Sequence, residues 1–307
     1  DLHSFPTRRS SDLFVIYNPD KAWNGFTILS APELGALLIN MNGAEIRLWK
    51  DVQGFPNKLF PGGHVMGSTG TRDPKYALQD QLDVIQVDWD GNIVWKFDQA
   101  EFVEDPGSEP RWVARQHHDF QREGSPVGYY APGLEPKTAS GNSLILSHKD
   151  VKCPFISDKP ILDDVIYEVN WDGEIVWEWL CSDHVEEMGF TEAALNAMCR
   201  DPNFRGGSLI EEAPGVGDWM HMNSMSALGP NKWFDAGDSR FHPDNIIVDG
   251  RETNIICIID KKTGRIVWQI GPDYDTSAEL KTLGWIVGQH HAHMIPAGLP
   301  GAGNILI

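Results

Sequence analysis

The sequence has no stretch of clustered basic residues. Its 25 Lys and Arg are scattered among 44 Asp and Glu, for a formal charge of −19. Phosphate backbones are held by stripes of cations, so no nucleic-acid partner is expected, and the acidity reads as a solubilising surface. Long apolar runs are missing too. None approaches the ~18–20 residues that cross a bilayer, and the apolar segments alternate as strands do, so no membrane partner is expected. Only four cysteines occur, Cys153, Cys181, Cys199 and Cys257, with no CxxC pair among them, which removes a zinc knuckle and a thioredoxin-type centre. Cys257, in the apolar run IICII, reads as a core thiol. Cys181 and Cys199 flank the polar segment SDHVEEMGFTEAALNAM, which reads as a helical insertion over about 181–205, and a disulfide could join them. A glycine-rich phosphate loop and an H-E-x-x-H motif are also lacking.

What the sequence has in quantity is tryptophan, 12 in 307 residues, and a repeat accounts for several of them. DVIQVDWDGNIVWKF (83–97), DVIYEVNWDGEIVWEW (164–179) and NIICIIDKKTGRIVWQI (254–270) each show an alternating strand, a turn ending on Gly91, Gly173 or Gly264, and a second strand reaching Trp95, Trp177 or Trp268. A weaker copy, GALLINMNGAEIRLW, ends at Trp49. The turn sequences supply the positive φ of a tight hairpin, and the flanks alternate with period two. Shorter strands lie between the hairpins: NSLILS (142–147), DNIIVDG (244–250) and GNILI (303–307). Four antiparallel strands per unit, recurring at about one or two blade lengths of ~40–50 residues, predict an all-β fold built of β-propeller blades, with the tryptophans wedged between neighbours.

The histidines stand in phase with this repeat. RWVARQHHDF (111–120) and GWIVGQHHAH (284–293) share W-x-x-x-Q-H-H, and DWMHMNS (218–224) opens the unit between them. Innermost propeller strands line one channel, so histidines far apart in the chain are expected to meet at its mouth. Strand alternation puts His290 on one face and His291 and His293 on the other, and leaves open which of them, and which of His117 and His118, faces the pocket. A metal cluster competes with catalysis as the explanation, with Asp119 as a ligand or as the orienter of an imidazole; the separate origin of the histidines favours catalysis, so no metal or other cofactor is expected. Arg115 and Arg122 read as residues of a solvated face. Tyr129, Tyr130 and Trp285 are aromatic neighbours of these motifs that could flank a ring-shaped ligand, although packing is the simpler explanation of each.

Residues 1–13, DLHSFPTRRSSDL, look like the translation of a sequencing adapter and are set apart from the propeller domain, 14–307. The chain stops inside a strand, so truncation is expected at both ends. An open ring exposes strand edges, and residues 14–307 alone are expected to be inactive or poorly soluble.

HHDF (117–120), HMNS (221–224), NIIVDGRETN (245–254), DKKTGRIVWQIGP (260–272) and QHHAH before GNILI, in this order and spacing, resemble the PAPS-independent aryl-sulfate sulfotransferase family across most of residues 20–307. The resemblance implies a six-bladed propeller, incomplete here, from a periplasmic or secreted enzyme. It implies transfer of a sulfuryl group from an aryl sulfate to a phenol through a sulfated histidine, with small-molecule donor and acceptor and without a nucleotide. It assigns the nucleophile to His290, further catalytic roles to His118, His221 and Arg251, and substrate contacts to His117, Asn223 and His293. Arg251 follows Asp-Gly where family members often carry Ser-Ser, so Arg240 stands as its substitute. Two other readings remain: a quinoprotein-type dehydrogenase, suggested by DKKTGRIVW although a vicinal cysteine pair is lacking, and a binding propeller without catalysis.

Overall fold

The structure, a computed structural model, describes residues 17–31, 33–76, 79–157, 160–192, 194 and 218–307. The adapter-like residues 1–13, Cys199 and the second half of the proposed helical insertion lie outside them. The first sheet is a three-stranded meander of β1 (Phe26–Ala31), β2 (Gly35–Asn40) and β3 (Glu45–Trp49). The second holds β4 (Gln53–Phe60), β5 (His64–Ser68), β6 (Val84–Val87) and β7 (Ile93–Phe97). A separate pair follows, β8 (Glu101–Val103) with β9 (Arg111–Val113).

The third sheet is β10 (Gln116–Arg122), β11 (Ser143–Val151), β12 (Ile161–Val169) and β13 (Ile175–Leu180). The fourth is β14 (Met222–Ala227), β15 (Ile246–Gly250), β16 (Ile255–Ile259) and β17 (Ile266–Ile270), and the chain closes on the pair β18 (His293–Met294) and β19 (Ile305–Leu306). Two short helices, α1 (Lys232–Asp235) and α2 (Ala278–Leu283), are capped by Asn231 and Ser277. Cys181–His184 forms a single 3-10 turn.

The all-β, four-stranded antiparallel repeat is thus as predicted, while no closed ring is detected among the described residues. The hairpins are the predicted ones, with Gly91, Gly173 and Gly264 at φ 94°, 84° and 74°, a region that costs a side chain strain and glycine none. Each hairpin also carries a register shift beside its turn, at Leu38/Ile39, Gln86/Val87, Glu168/Val169 and Ile258/Ile259. The repeat therefore extends to backbone detail.

Each neighbouring pair of sheets shares one apolar core. Leu38 and Trp49 meet Val65 and Ile85 between the first and second sheets; Met66, Val84 and Phe97 meet Phe120, Ile145 and Val165 between the second and third. Leu146, Ile166 and Trp179 meet Met222, Val248 and Cys257 between the third and fourth, so Cys257 is the core thiol expected. Ile247 and Ile258 meet Ala292 and Met294. With roughly 1.5–3 kcal/mol for each such side chain fully buried, these seams hold the sheets in order.

The tryptophans do sit at the seams, but not all where the repeat suggested. The Trp49 indole donates to Asp88 O (3.1 Å), in the turn of the next sheet, and the Trp179 indole donates to Gly264 O (2.8 Å), in the equivalent turn of the fourth. Trp179 is buried whereas Trp177, two residues earlier on the same face, is only half-buried. The two arginines assigned to a solvated face are buried instead. Arg115 binds Asp80 (2.8 Å), Glu101 (2.7 Å) and Asp150 (3.2 Å). Arg122 lies between the rings of Trp95 and Trp171, 4.4 and 4.8 Å from their centroids. Both guanidiniums find in the interior what solvent would otherwise supply, a carboxylate set in one case and π faces in the other.

Candidate active site

The first strands of successive sheets adjoin, β4 beside β10 and β10 beside β14, with β18 next to β14. Each of the three longer ones is irregular at its start: register shifts occur between Gln53 and Lys58, Gln116 and Phe120, and Met222 and Ser224. Within the second irregularity the backbone of His118 turns left-handed, at φ 50°; His221, just before the third, does the same at φ 51°, and so does His291, ahead of β18, at φ 58°. An imidazole in that conformation is held against its own preference. The bends aim side chains out of the regular alternation, and they gather a cluster.

The His118 and His221 rings lie 4.9 Å apart between centroids, edge to face. His117 and His118 share a hydrogen bond of 2.9 Å between their Nδ1 atoms. His117 stacks on His148 at 3.6 Å and 8°. Each outer imidazole is backed by a carboxylate: His148 Nδ1 on Asp80 (2.6 Å), and His221 Nδ1 on Asp218. Asp80 is in turn held by Arg115 and Arg72, and Asp164 accepts from Met222 N (3.1 Å).

This arrangement separates the protonation states. Burial, reinforced by the neighbouring His117 and His221, pushes His118 down to about 2. Burial and His148 likewise push His117 well below the ordinary imidazole value. Burial acts the same way on His221 but is outweighed by the hydrogen bond and charge of Asp218, so His221 is raised. A neutral imidazole therefore faces one that favours its proton.

The other expected residues divide around this cluster. The main-chain amide of Arg251 donates to His221 O (3.1 Å), and its exposed guanidinium pairs with Glu252 at 2.6 Å. Asn223 Nδ2 donates to Gln289 O (3.3 Å), Gln289 Nε2 donates to Gly250 O (2.7 Å), and Ala292 N donates to Asp249 Oδ2 (2.8 Å). The segment bearing His290 and His291 is thus pinned at both ends to the sheet that carries His221 and Arg251. Within it His290 is exposed, with Nδ1 on Gly288 O (2.8 Å). His291 packs on His293 at 4.5 Å, and His293 Nε2 meets Tyr129 OH (2.9 Å).

Among the described residues Asp119 bonds to no imidazole: it accepts from Lys58 (2.5 Å), Phe120 N and Met225 N. Arg240 is bound to Asp238 on an exposed 3-10 turn. Tyr130 and Trp285 are exposed, against Trp23 and Tyr274 respectively.

Sequence reasoning missed His148, Asp80, Asp164, Asp218 and Lys58. A signal existed for some of them. ILDDVI carries two carboxylates inside an apolar strand, and SLILSHKD places a histidine at the polar end of another. Lys58 has no motif at all; only the approach of β4 to β10 brings it to Asp119. His117, His148 and Asp164 also offer three potential metal-ligand atoms within 4.8 Å of one another.

No curated protein matches the chain. The model of the arylsulfotransferase (ASST) family matches residues 136–305, a span that takes in His148, Asp164, His221, Asn223, Arg251 and the run from His290 to His293. More than half of the sequence is covered by that match, and the chain belongs to the arylsulfotransferase family.

Proposed function

We propose that this protein transfers a sulfuryl group from an aryl sulfate ester to a phenol through a sulfohistidine, on a propeller whose blades are the four-stranded sheets, in the periplasm or outside the cell. The observation that carries the reading is the pairing of His118 and His221, from different sheets, with opposite protonation preferences at 4.9 Å. A neutral imidazole nitrogen attacks sulfur, the bond from sulfur to the aryl oxygen breaks, and its electron pair leaves on the phenol oxygen. His221, charged through Asp218, delivers the proton that makes a phenol of pKa near 10 a competent leaving group. In the second half-reaction His221 takes the acceptor's proton, the phenolate attacks sulfur, and the bond from sulfur to nitrogen returns its pair to the ring.

The attacking residue belongs to the pinned segment. The family resemblance points to His290, and the shared left-handed backbone of His118, His221 and His291 favours His291. Arg251, once released from Glu252, offers a planar donor fork to the sulfuryl oxygens, whose charge is spread as in phosphoryl transfer. Asn223 and His293 shape the pocket around the substrates, and His117 supports it from behind His118.

The test is transfer from 4-nitrophenyl sulfate to phenol. His118→Asn and His221→Asn should each lower kcat/KM by roughly 10²–10⁴-fold, and of His290→Asn and His291→Asn the one at the nucleophile should abolish the sulfated intermediate seen in acid-quenched peptide maps. Full transfer by the His118→Asn, His221→Asn double variant would sink the proposal.

A further inference from the structure

We propose that His117, His148 and Asp164 form a buried site for one divalent transition-metal ion of the zinc class, separate from the sulfuryl-transfer step. The three come from consecutive strands of one sheet, β10, β11 and β12, and are each at most 2 % exposed. His117 Nε2 lies 3.1 Å from Asp164 Oδ1 as an ion-pair contact, and neither atom has a hydrogen-bond partner among the described residues. Burying two polar atoms in this way is unfavourable, and a cation bound to both removes that cost. Asp218 Oδ1, on the segment bridged to β12, is likewise buried without a hydrogen bond.

The orienting contacts are those of a metal centre. His148 commits Nδ1 to Asp80 at 2.6 Å, and Asp80 is anchored by Arg115, which leaves Nε2 as the ligating nitrogen. A carboxylate behind a histidine in this way fixes ring orientation and raises ligand basicity. His117 commits Nδ1 to His118 and turns Nε2 toward Asp164. In a tetrahedral set with bonds of ~2.1 Å, neighbouring ligand atoms stand about 3.4 Å apart. The observed 3.1 Å contact is already at that scale, and the 4.8 Å limit on the set leaves rotation of the stacked His117 and His148 rings to close the rest. Two imidazole nitrogens with one carboxylate select a borderline ion over calcium or magnesium, which prefer all-oxygen cages.

The site differs from the expectation, drawn from sequence, that no metal is bound. That expectation rested on the histidines coming from separate units, whereas this set comes from one sheet and includes His148, which the motifs did not mark. The ion would tie β10, β11 and β12 together behind His118, and would act on the active site only through the bond between His117 and His118.

Refolding the chain with Zn(II) or Co(II), followed by exhaustive dialysis, tests this without any assay of activity. About one equivalent should be retained per chain. The Co(II) form should show d–d absorption of a low-coordinate nitrogen and oxygen set, without thiolate charge-transfer bands. Asp164→Asn and His148→Gln should each lose the ion, and should lower affinity by at least the ~10–100-fold typical of orienting contacts alone. Retention of less than about a tenth of an equivalent by wild-type protein with a native β-type circular dichroism spectrum overturns the proposal. Cysteine charge-transfer bands, or undiminished binding in both variants, overturn it as well. Should the variants not fold, the wild-type stoichiometry and Co(II) spectrum decide.

Discussion

His118 and His221 show how much one neighbouring carboxylate matters. Both rings are largely enclosed, and burial opposes charge on each, but only His221 has Asp218 at its Nδ1. Its folded value is raised above the ordinary 6.5, so the stabilisation from its proton is complete below that value and is lost as pH climbs through the folded pKa. Activity that requires this proton should therefore fall on an alkaline limb above 6.5, and Asp218→Asn should move the limb of the pH profile of kcat/KM to lower pH.

His118 has the opposite sign: below 6.5 the unfolded chain takes up a proton that the folded chain refuses, so stability drops as acid is added. The left-handed bends supply a second check. His118→Gly should be more stable than His118→Ala by about 1 kcal/mol in urea unfolding, because alanine bears the positive φ and glycine does not. HHDF and HMNS marked both histidines in the sequence. Asp218 escaped notice because its loop places it beside His221 through a bend, not through a strand or helix period.

At the scale of elements, the hairpins were legible because period-two alternation and the turn glycines are local signals. The seam tryptophans were less so. Trp177 and Trp179 lie on one face of β13, and alternation cannot say which of two same-face residues reaches deeper; the answer is set by where the next sheet's turn comes to rest. Trp179→Phe removes the bond to Gly264 O and should cost about 1–2 kcal/mol, whereas Trp177→Phe should cost under ~0.5 kcal/mol, compared by denaturant midpoints at equal m. The buried arginines escaped notice for a similar reason. A charged side chain in a polar-looking stretch reads as surface until its carboxylates, drawn from other strands, are assembled around it. Asp80→Ala, which strands Arg115 and His148, should destabilise by roughly 3–5 kcal/mol in the same measurement.

For the molecule as a whole, composition was most informative about surface and least about closure. A net charge of −19 implies self-repulsion that salt screens, so the melting temperature should rise as NaCl is increased from about 10 mM to 0.3 M, over which the Debye length shrinks from ~30 Å to under 8 Å. A fall in melting temperature over that range would show that exposed ion pairs outweigh the repulsion. Ring closure is a long-range matter that no local pattern encodes, and no closed ring is detected among the described residues.

Three of the indole bonds across the seams run forward along the chain, while Trp219 reaches back to Asp163. Trp49 reaches forward to Asp88, Trp179 to Gly264 and Trp233 to Gly303. On the ribosome, where the N-terminal part emerges first, each of the three forward-reaching indoles must wait for a carbonyl not yet synthesised. A nascent chain halted after residue 250 would present Trp179 without its acceptor while the bond from Trp49 to Asp88 is already in place, so assembly is paced by translation from one end.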